Sequence, residues 1–281
     1  MKKKHTFLHS ILCLLALLFL LPLILTLLYS VCSPTEIKEF MGTRNQYNGK
    51  LMEIKLSPKL FSLDQYWHVL IQDAVILRYY FNSMLYTAII ILGQSIITPM
   101  LAYALSRFQF HGRDVIAFVV SVLLLLPFQV TMVPAVLTLR WLGLMDTPWA
   151  IILPSLVSPF YVFLLRQSMI SIPRELFEAA QIDGAGSIRC YFHVALPLSK
   201  AIIGAAAALS FADCWNLVEQ PLVFLPTRSD LYPLSVAFNQ LSQKSTGTEF
   251  AGAALYILPA MMIYLFFQKD IMTSIQLSEM K

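Results

Sequence analysis

A chain of 281 residues that is 58% hydrophobic and only 13% charged does not read as a water-soluble domain, in which about a quarter of residues carry charge. Its mean hydropathy of +0.69 calls for a bilayer as second solvent. A formal net charge of +4 is too small to mark a nucleic-acid binder or an enzyme for acidic substrates, so Lys and Arg are read here as markers of membrane sidedness.

The first predicted element is the apolar run over about 8–31, after MKKKHTF. It exceeds the roughly 7–15 residues of a signal-peptide core and suffices for a full span. Val31 is too bulky to precede the cysteine of a lipoprotein cleavage box, so an uncleaved helix is expected. An outer loop is expected over about 32–79, of mixed polarity over 33–65 as for a small external subdomain, with Leu63–Leu70 as a short amphipathic helix near the membrane surface. Trp67, Tyr66, Tyr79 and Tyr80 suit the interfacial belt. Further runs lie at about 83–105, 115–138, 149–168, 201–225 and 250–268. About 20 residues at 1.5 Å rise cross a core roughly 30 Å thick. The expected fold class is therefore an all-α polytopic membrane protein with six transmembrane helices. Pro22, Pro99, Pro127, Pro134, Pro159 and Pro259 interrupt the runs, which a membrane bundle tolerates or uses as kinks along a path.

Lys2, Lys3 and Lys4 place the N-terminus in the cytoplasm, and six spans return the C-terminus there. The connection with Arg107 and Arg113, and the later one with Arg174, Arg189 and Lys200, are then cytoplasmic too. Lys38, Arg44, Lys50, Lys55, Lys59 and Arg78 in the outer loop oppose this orientation, but long loops translocate with weaker regard to charge. Cys13, Cys32, Cys190 and Cys214 have no metal-ligand spacing. They are expected to be unpaired thiols, with Cys13 and Cys214 packed as small apolar residues.

Between the fourth and fifth runs lies a polar segment, 171–199, built around ELFEAAQIDGAGSIRCYFHVALPLSK. Ser171 is expected to cap a helix with Pro173 in its first turn and Glu175 at its positive end. Leu176, Ala179, Ala180 and Asp183 share one side, and Gly184 stops the helix in the left-handed conformation. Ser187 then caps a second short helix through Tyr191 and Phe192, ended by Pro197. Ala179, Ala180, Gly184 and Gly186 let another backbone come near. Leu176, Phe177, Ile188, Tyr191 and Phe192 offer apolar knobs. Such a helix-turn-helix fits a partner's groove or, alternatively, rests on lipid headgroups.

The spacing of Glu178-Ala179-Ala180, Gly184 after three intervening residues and Val194-Ala195-Leu196-Pro197 after nine more resembles the EAA loop of ABC importer permeases. YFNSMLYTA (80–88), AYALSRFQFHGRD (102–114), GLMDTPWAIILP (143–154), SIPRELFEAAQIDGA (171–185) and WNLVEQPLVFL (215–225) resemble segments of the carbohydrate, maltose-transporter class. The likeness covers nearly the whole chain. It implies a permease subunit, not an enzyme, in the bacterial cytoplasmic (inner) membrane. The implied partners are an ATP-binding-cassette ATPase dimer holding ATP and magnesium, a second homologous permease and an extracellular or periplasmic solute-binding protein. It also implies that Glu178, Ala179, Ala180, Asp183, Gly184 and Pro197 couple the chain to the ATPase. No cofactor is expected in this chain itself. The Gly49-Lys50 pair is followed by Leu51 and lacks the upstream glycine of a phosphate-binding loop. The tail QKDIMTSIQLSEMK contains no glycine, unlike many tails of the class, which leaves open whether it reaches the ATPase.

Polar residues within the runs are candidates for a solute path, chiefly Asp213, Asn216, Gln129 and Ser158. An acid such as Asp213 within a span costs about 2.5–3.5 kcal/mol on insertion scales and by default faces a bundle interior or wet path. A sugar is the expected solute, with glycerol phosphate or a polyol as the alternative within the class. A proton-coupled carrier using Asp213 and Glu219 is the alternative outside it.

Overall fold

The computed structural model describes residues 2–37, 61–72, 74–237 and 248–279. Lys38 to Lys59 of the expected outer loop, the Gly49-Lys50 pair included, lie outside them. The main helices are α1 (Lys2–Ser30), α2 (Asp64–Trp67, continued by a π-turn His68–Gln72), α3 (Ala74–Arg107), α4 (Arg113–Leu125), α5 (Phe128–Trp141), α6 (Trp149–Ser155) and α7 (Pro159–Ser171). Beyond them come α8 (Arg174–Ile182), α9 (Ser187–Leu198, with a π-turn at Tyr191–Ala195), α10 (Lys200–Trp215), α11 (Glu219–Phe224) and α12 (Glu249–Glu279). Among the described residues no strand forms; Cys32 and Phe61 make an isolated antiparallel bridge.

Among the described residues four stretches are long and apolar enough to cross a bilayer: His9–Ser30, Val75–Arg107, Trp149–Ser171 and Glu249–Lys269. Two more runs are helix pairs, α4 with α5 bent by 114° and α9 with α10 bent by 72°. The first bend has a local cause. Pro127 lacks an N–H, and Leu126 before it is extended at ψ 124°, as a pre-proline residue prefers. The run 115–138 is therefore not one straight helix. The run 201–225 is not one helix either: α10 ends at Trp215 and α11 begins at Glu219. Cys32, Cys190 and Cys214 are buried free thiols, whereas Cys13, expected to be packed, is exposed on α1.

The chain divides into two compact units, Met1–Tyr80 with Val236–Pro259 and Phe81–Ser235 with Ala260–Lys281. In the first, fully buried Gln65 donates from Nε2 to the carbonyls of Tyr29 and Cys32, both at 2.7 Å, and its Oε1 accepts the Ala251 N–H at 3.3 Å. Helix ends leave such backbone groups without partners, and this one side chain satisfies groups at the end of α1 and the start of α12. Tyr66 adds a bond from its hydroxyl to Ser30 Oγ at 2.8 Å.

In the second unit, the YFNSMLYTA segment is a grip. Asn82 donates to the carbonyls of Asp230 and Tyr232 at 3.0 and 3.1 Å, and Tyr86 donates to that of Leu231 at 2.9 Å. Ser83 Oγ accepts the Leu234 N–H at 2.8 Å. The start of α3 thus holds the irregular 230–234 segment. Further along the same helix, Gln94 donates to the Ser155 carbonyl at 2.6 Å and accepts from the Ser210 hydroxyl. That carbonyl lies at the end of α6, so Gln94 joins α3, the α6–α7 break and α10. A side chain at the adjacent Gly93 would collide with Leu156. Asp146, in the left-handed region at φ 60°, accepts the Thr227 N–H at 3.0 Å and donates its own N–H to the Phe224 carbonyl at 3.0 Å.

Candidate functional site

The 171–199 segment forms two helices, but its entry differs from the sequence expectation. Ser171 closes α7, its hydroxyl bonded to the Ser168 carbonyl at 2.7 Å. Helix α8 starts at Arg174 with Pro173 at the N-cap, φ −54° and ψ 140°. The cause is again the residue before proline: Ile172 at ψ 128° cannot serve as a first helical residue. Ser187 likewise stands inside α9, whose N-cap is Gly186. Pro197 does not end the second helix as expected; α9 passes it and ends at Leu198, before the bend.

The exit from α8 matches expectation in detail. Gly184 has φ 82°. Its N–H bonds to the Gln181 carbonyl and the Ala185 N–H to the Ala180 carbonyl, both at 2.9 Å. These are the paired bonds of a Schellman turn, and Ala180 and Ala185 on either side of it both pack on one core cluster. Asp183 is the C-cap.

That cluster decides which knobs point inward. Phe177, Tyr191, Cys190 and Ala195 are buried with Ala102 and Tyr103 of α3 and Leu165, Met169 and Ile172 at the end of α7. Tyr103 lies 5.2 Å from the Tyr191 ring and donates its hydroxyl to the Ser187 carbonyl at 3.2 Å. Phe177 and Tyr191, expected among the outward knobs, are therefore anchors. Leu176 and Phe192 do point outward, as do Ile182, 86% exposed, and Ile188, 75% exposed. Sequence reasoning missed Ile182. The signal was available: Ile182 follows Glu178 and Ala179 by one helical turn, so it shares their side of α8.

The motif residues divide by exposure. Glu178 and Ala179 are exposed on α8, Ala180 is half-buried, and Asp183 and Gly184 are exposed at its end. These five share one helix and its closing turn. Pro197 is exposed in the last turn of α9, away from them in sequence.

Arg107, read from sequence only as a marker of sidedness, is part of this site. Its Nη2 donates to the carbonyls of Met169 and Ile172, both at 2.6 Å, and its guanidinium lies 4.0 Å from the centre of the Phe177 ring. A cation at the carbonyl end of α7 is favoured by the helix dipole. No local pattern marks this role, because its carbonyl partners lie 62 and 65 residues on.

The four path candidates fall into separate settings. Asp213 accepts from the Tyr161 hydroxyl at 2.7 Å. Gln129 donates to both carboxylate oxygens of Glu219 at 3.0 Å. Asn216 is the C-cap of α10 and bonds back to the Ala212 carbonyl at 2.8 Å. Ser158 is the N-cap of α7 and makes no capping bond with its side chain. A cavity of about 20 Å³, room for a single water, has Gln94, Ser95, Thr98 and Tyr161 in its wall. It is too small for a sugar.

Over 273 residues the chain is 29% identical to the arabinooligosaccharides transport system permease protein AraQ of Bacillus subtilis, covering 95% of this chain and 92% of that one. It is 32% identical over 235 residues to the diacetylchitobiose uptake system permease protein NgcG of Streptomyces coelicolor, covering 79% and 77%. It is 28% identical to the sn-glycerol-3-phosphate transport system permease protein UgpE of Yersinia enterocolitica, covering 67% and 69%. Its fold superposes with a TM-score of 0.79, at 24% identity and over 95% of this chain and 96% of the other, on the crystal structure of a bacterial ABC transporter involved in the import of the acidic polysaccharide alginate. The profile described as binding-protein-dependent transport system inner membrane component matches residues 95–271. That match covers more than half of the sequence, and the chain belongs to this family of transport-system membrane components.

Proposed function

We propose that this chain is one permease subunit of an ATP-driven importer of sugars or short oligosaccharides in the bacterial cytoplasmic membrane. A separate ATPase dimer grips the α8–α9 pair from the cytoplasm, a second permease completes the pore, and a binding protein outside delivers the solute. The observation that carries the reading is the Schellman-closed helix α8. Its Phe177 is buried on the ends of α3 and α7, while Leu176, Ile182 and Ile188 are exposed. Such a helix has one face fixed to the pore half and another free for a groove. Closure of the ATPase dimer would then move it as a rigid body and switch access between the two sides.

A cysteine at Ala180 in the assembled complex should crosslink to an ATP-hydrolysing subunit. Uptake should stop on ATP depletion and survive collapse of the proton gradient. Labelling of that cysteine only from outside the cell would overturn the orientation and the reading together.

The solute is read as a sugar or oligosaccharide. AraQ and NgcG are named for oligosaccharide transport. UgpE favours glycerol phosphate as a second reading. The path assignment predicts that Asp213→Asn, which keeps an acceptor for Tyr161 but removes the charge, alters selectivity between neutral and anionic solutes. Asn216→Ala should slow uptake of the sugar. Both variants transporting with unchanged rate and selectivity, at equal amounts in the membrane, would remove this chain from the solute path.

A further inference from the structure

We infer that Arg107 is a positioning residue that locks helix α8 to the ends of α3 and α7, so that displacement of α8 reaches both spans. The inference rests on the proposed coupling to an ATPase. It adds the residue through which the motion leaves the helical pair.

Three elements meet at one side chain. Arg107 ends α3. Its Nη2 holds the carbonyls of Met169 and Ile172 at 2.6 Å, groups that the end of α7 leaves without helical partners. The central carbon of the same guanidinium lies over the Phe177 ring of α8, 4.0 Å from its centre. Arginine combines these contacts because its guanidinium is planar, stays charged and presents a fixed fork of donors. The arrangement has a cost: Arg107 Nε is buried without a hydrogen-bond partner. Lysine has donors enough for the same two carbonyls, yet it has no planar face to set against a ring. The stack on Phe177 is therefore the contact that accounts for arginine, and it is the contact directed to α8. Tyr103, whose ring lies 6.4 Å from that of Phe177, also bonds to the Ser187 carbonyl, so it packs beside the Arg107 contact and ties the end of α3 to α9 as well.

The test compares Arg107→Met, Arg107→Lys and Phe177→Leu in the full transporter reconstituted in vesicles. Solute uptake and ATP hydrolysis are measured on the same preparation. Arg107→Met should still bind the ATPase and hydrolyse ATP, while uptake per ATP falls about tenfold, within the usual range of coupling between sites. Hydrolysis should also lose its response to solute-loaded binding protein. Arg107→Lys and Phe177→Leu, which remove the stack but keep charge or apolar bulk respectively, should each lose part of that ratio. These two decide the matter if Arg107→Met does not fold. Wild-type uptake per ATP in Arg107→Lys and Phe177→Leu would overturn the inference. A wild-type transporter that takes up solute without hydrolysing ATP would instead overturn the proposed function.

Discussion

Replacing Gly184 with valine should reduce uptake at least tenfold while the protein still reaches the membrane folded. Nothing lies within 4 Å of where a side chain would begin at Gly184, so the penalty is conformational. At φ 82° an ordinary L-residue costs about 1–2 kcal/mol, and a β-branched one is a genuine outlier. The cheapest relief is to open the turn. Opening it breaks the bonds of Gly184 to Gln181 and of Ala185 to Ala180 and re-aims Ile182 relative to Ile188, the two most exposed apolar side chains of the segment. The buried side of α8, anchored by Phe177, has no reason to move. Gly184→Asn is the control. Asparagine visits the left-handed region far more readily, so it should keep most of the uptake. Equal loss in both variants would show that the position requires absence of a side chain, as at a close contact with a partner, and would discard the turn-strain account.

The same turn shows what the sequence could disclose. Gly184, one residue past the C-cap of a short helix, is legible because a Schellman turn uses only local bonds. The apolar runs are legible because a bilayer imposes a length on them. The bends are not, for a specific reason. Pro127 stops α4, yet Pro22, Pro99, Pro134 and Pro259 lie inside continuous helices. Which prolines break a helix depends on packing around them. Ser171 has every local mark of an N-cap, and the restriction that Pro173 places on Ile172 overrides them.

Side-chain roles divide along the same line. Spacing alone puts Phe177 and Leu176 in one stretch of apolar knobs, and only the cluster on α3 and α7 separates anchor from surface. Gln65, Arg107 and Asn82 all bond to backbone groups far along the chain. No pattern in sequence separates such residues from polar residues that line a path. Asp213 shows the converse: its expense within a span draws attention to it, and its partner Tyr161 is not among the residues read as path candidates.

Gln94→Leu should lower the thermal stability of the purified permease more than Gln94→Glu does. The buried amide does two jobs, donating to the Ser155 carbonyl at 2.6 Å and accepting from the Ser210 hydroxyl. Leucine matches its bulk and does neither. The carbonyl at the end of α6 and a hydroxyl that is 2% exposed on α10 then lose Gln94 as partner. In water-soluble cores an orphaned group costs about 1–3 kcal/mol. Hydrogen bonds between helices in a membrane average nearer 0.6 kcal/mol, with a maximum of about 1.7 kcal/mol, so the expected loss is about 1–2 kcal/mol. The Ser210 hydroxyl keeps Cys214 Sγ at 3.8 Å as a second neighbour, which limits the loss on the α10 side. Protonated glutamate in this buried place can both donate and accept, and so can replace the amide in part. The difference would be read as unfolding midpoints in one detergent at one protein concentration. Leucine equal to wild type would mean that the α3, α6 and α10 junction is held by packing around Gly93 and Leu156, and that its polar contacts add nothing net.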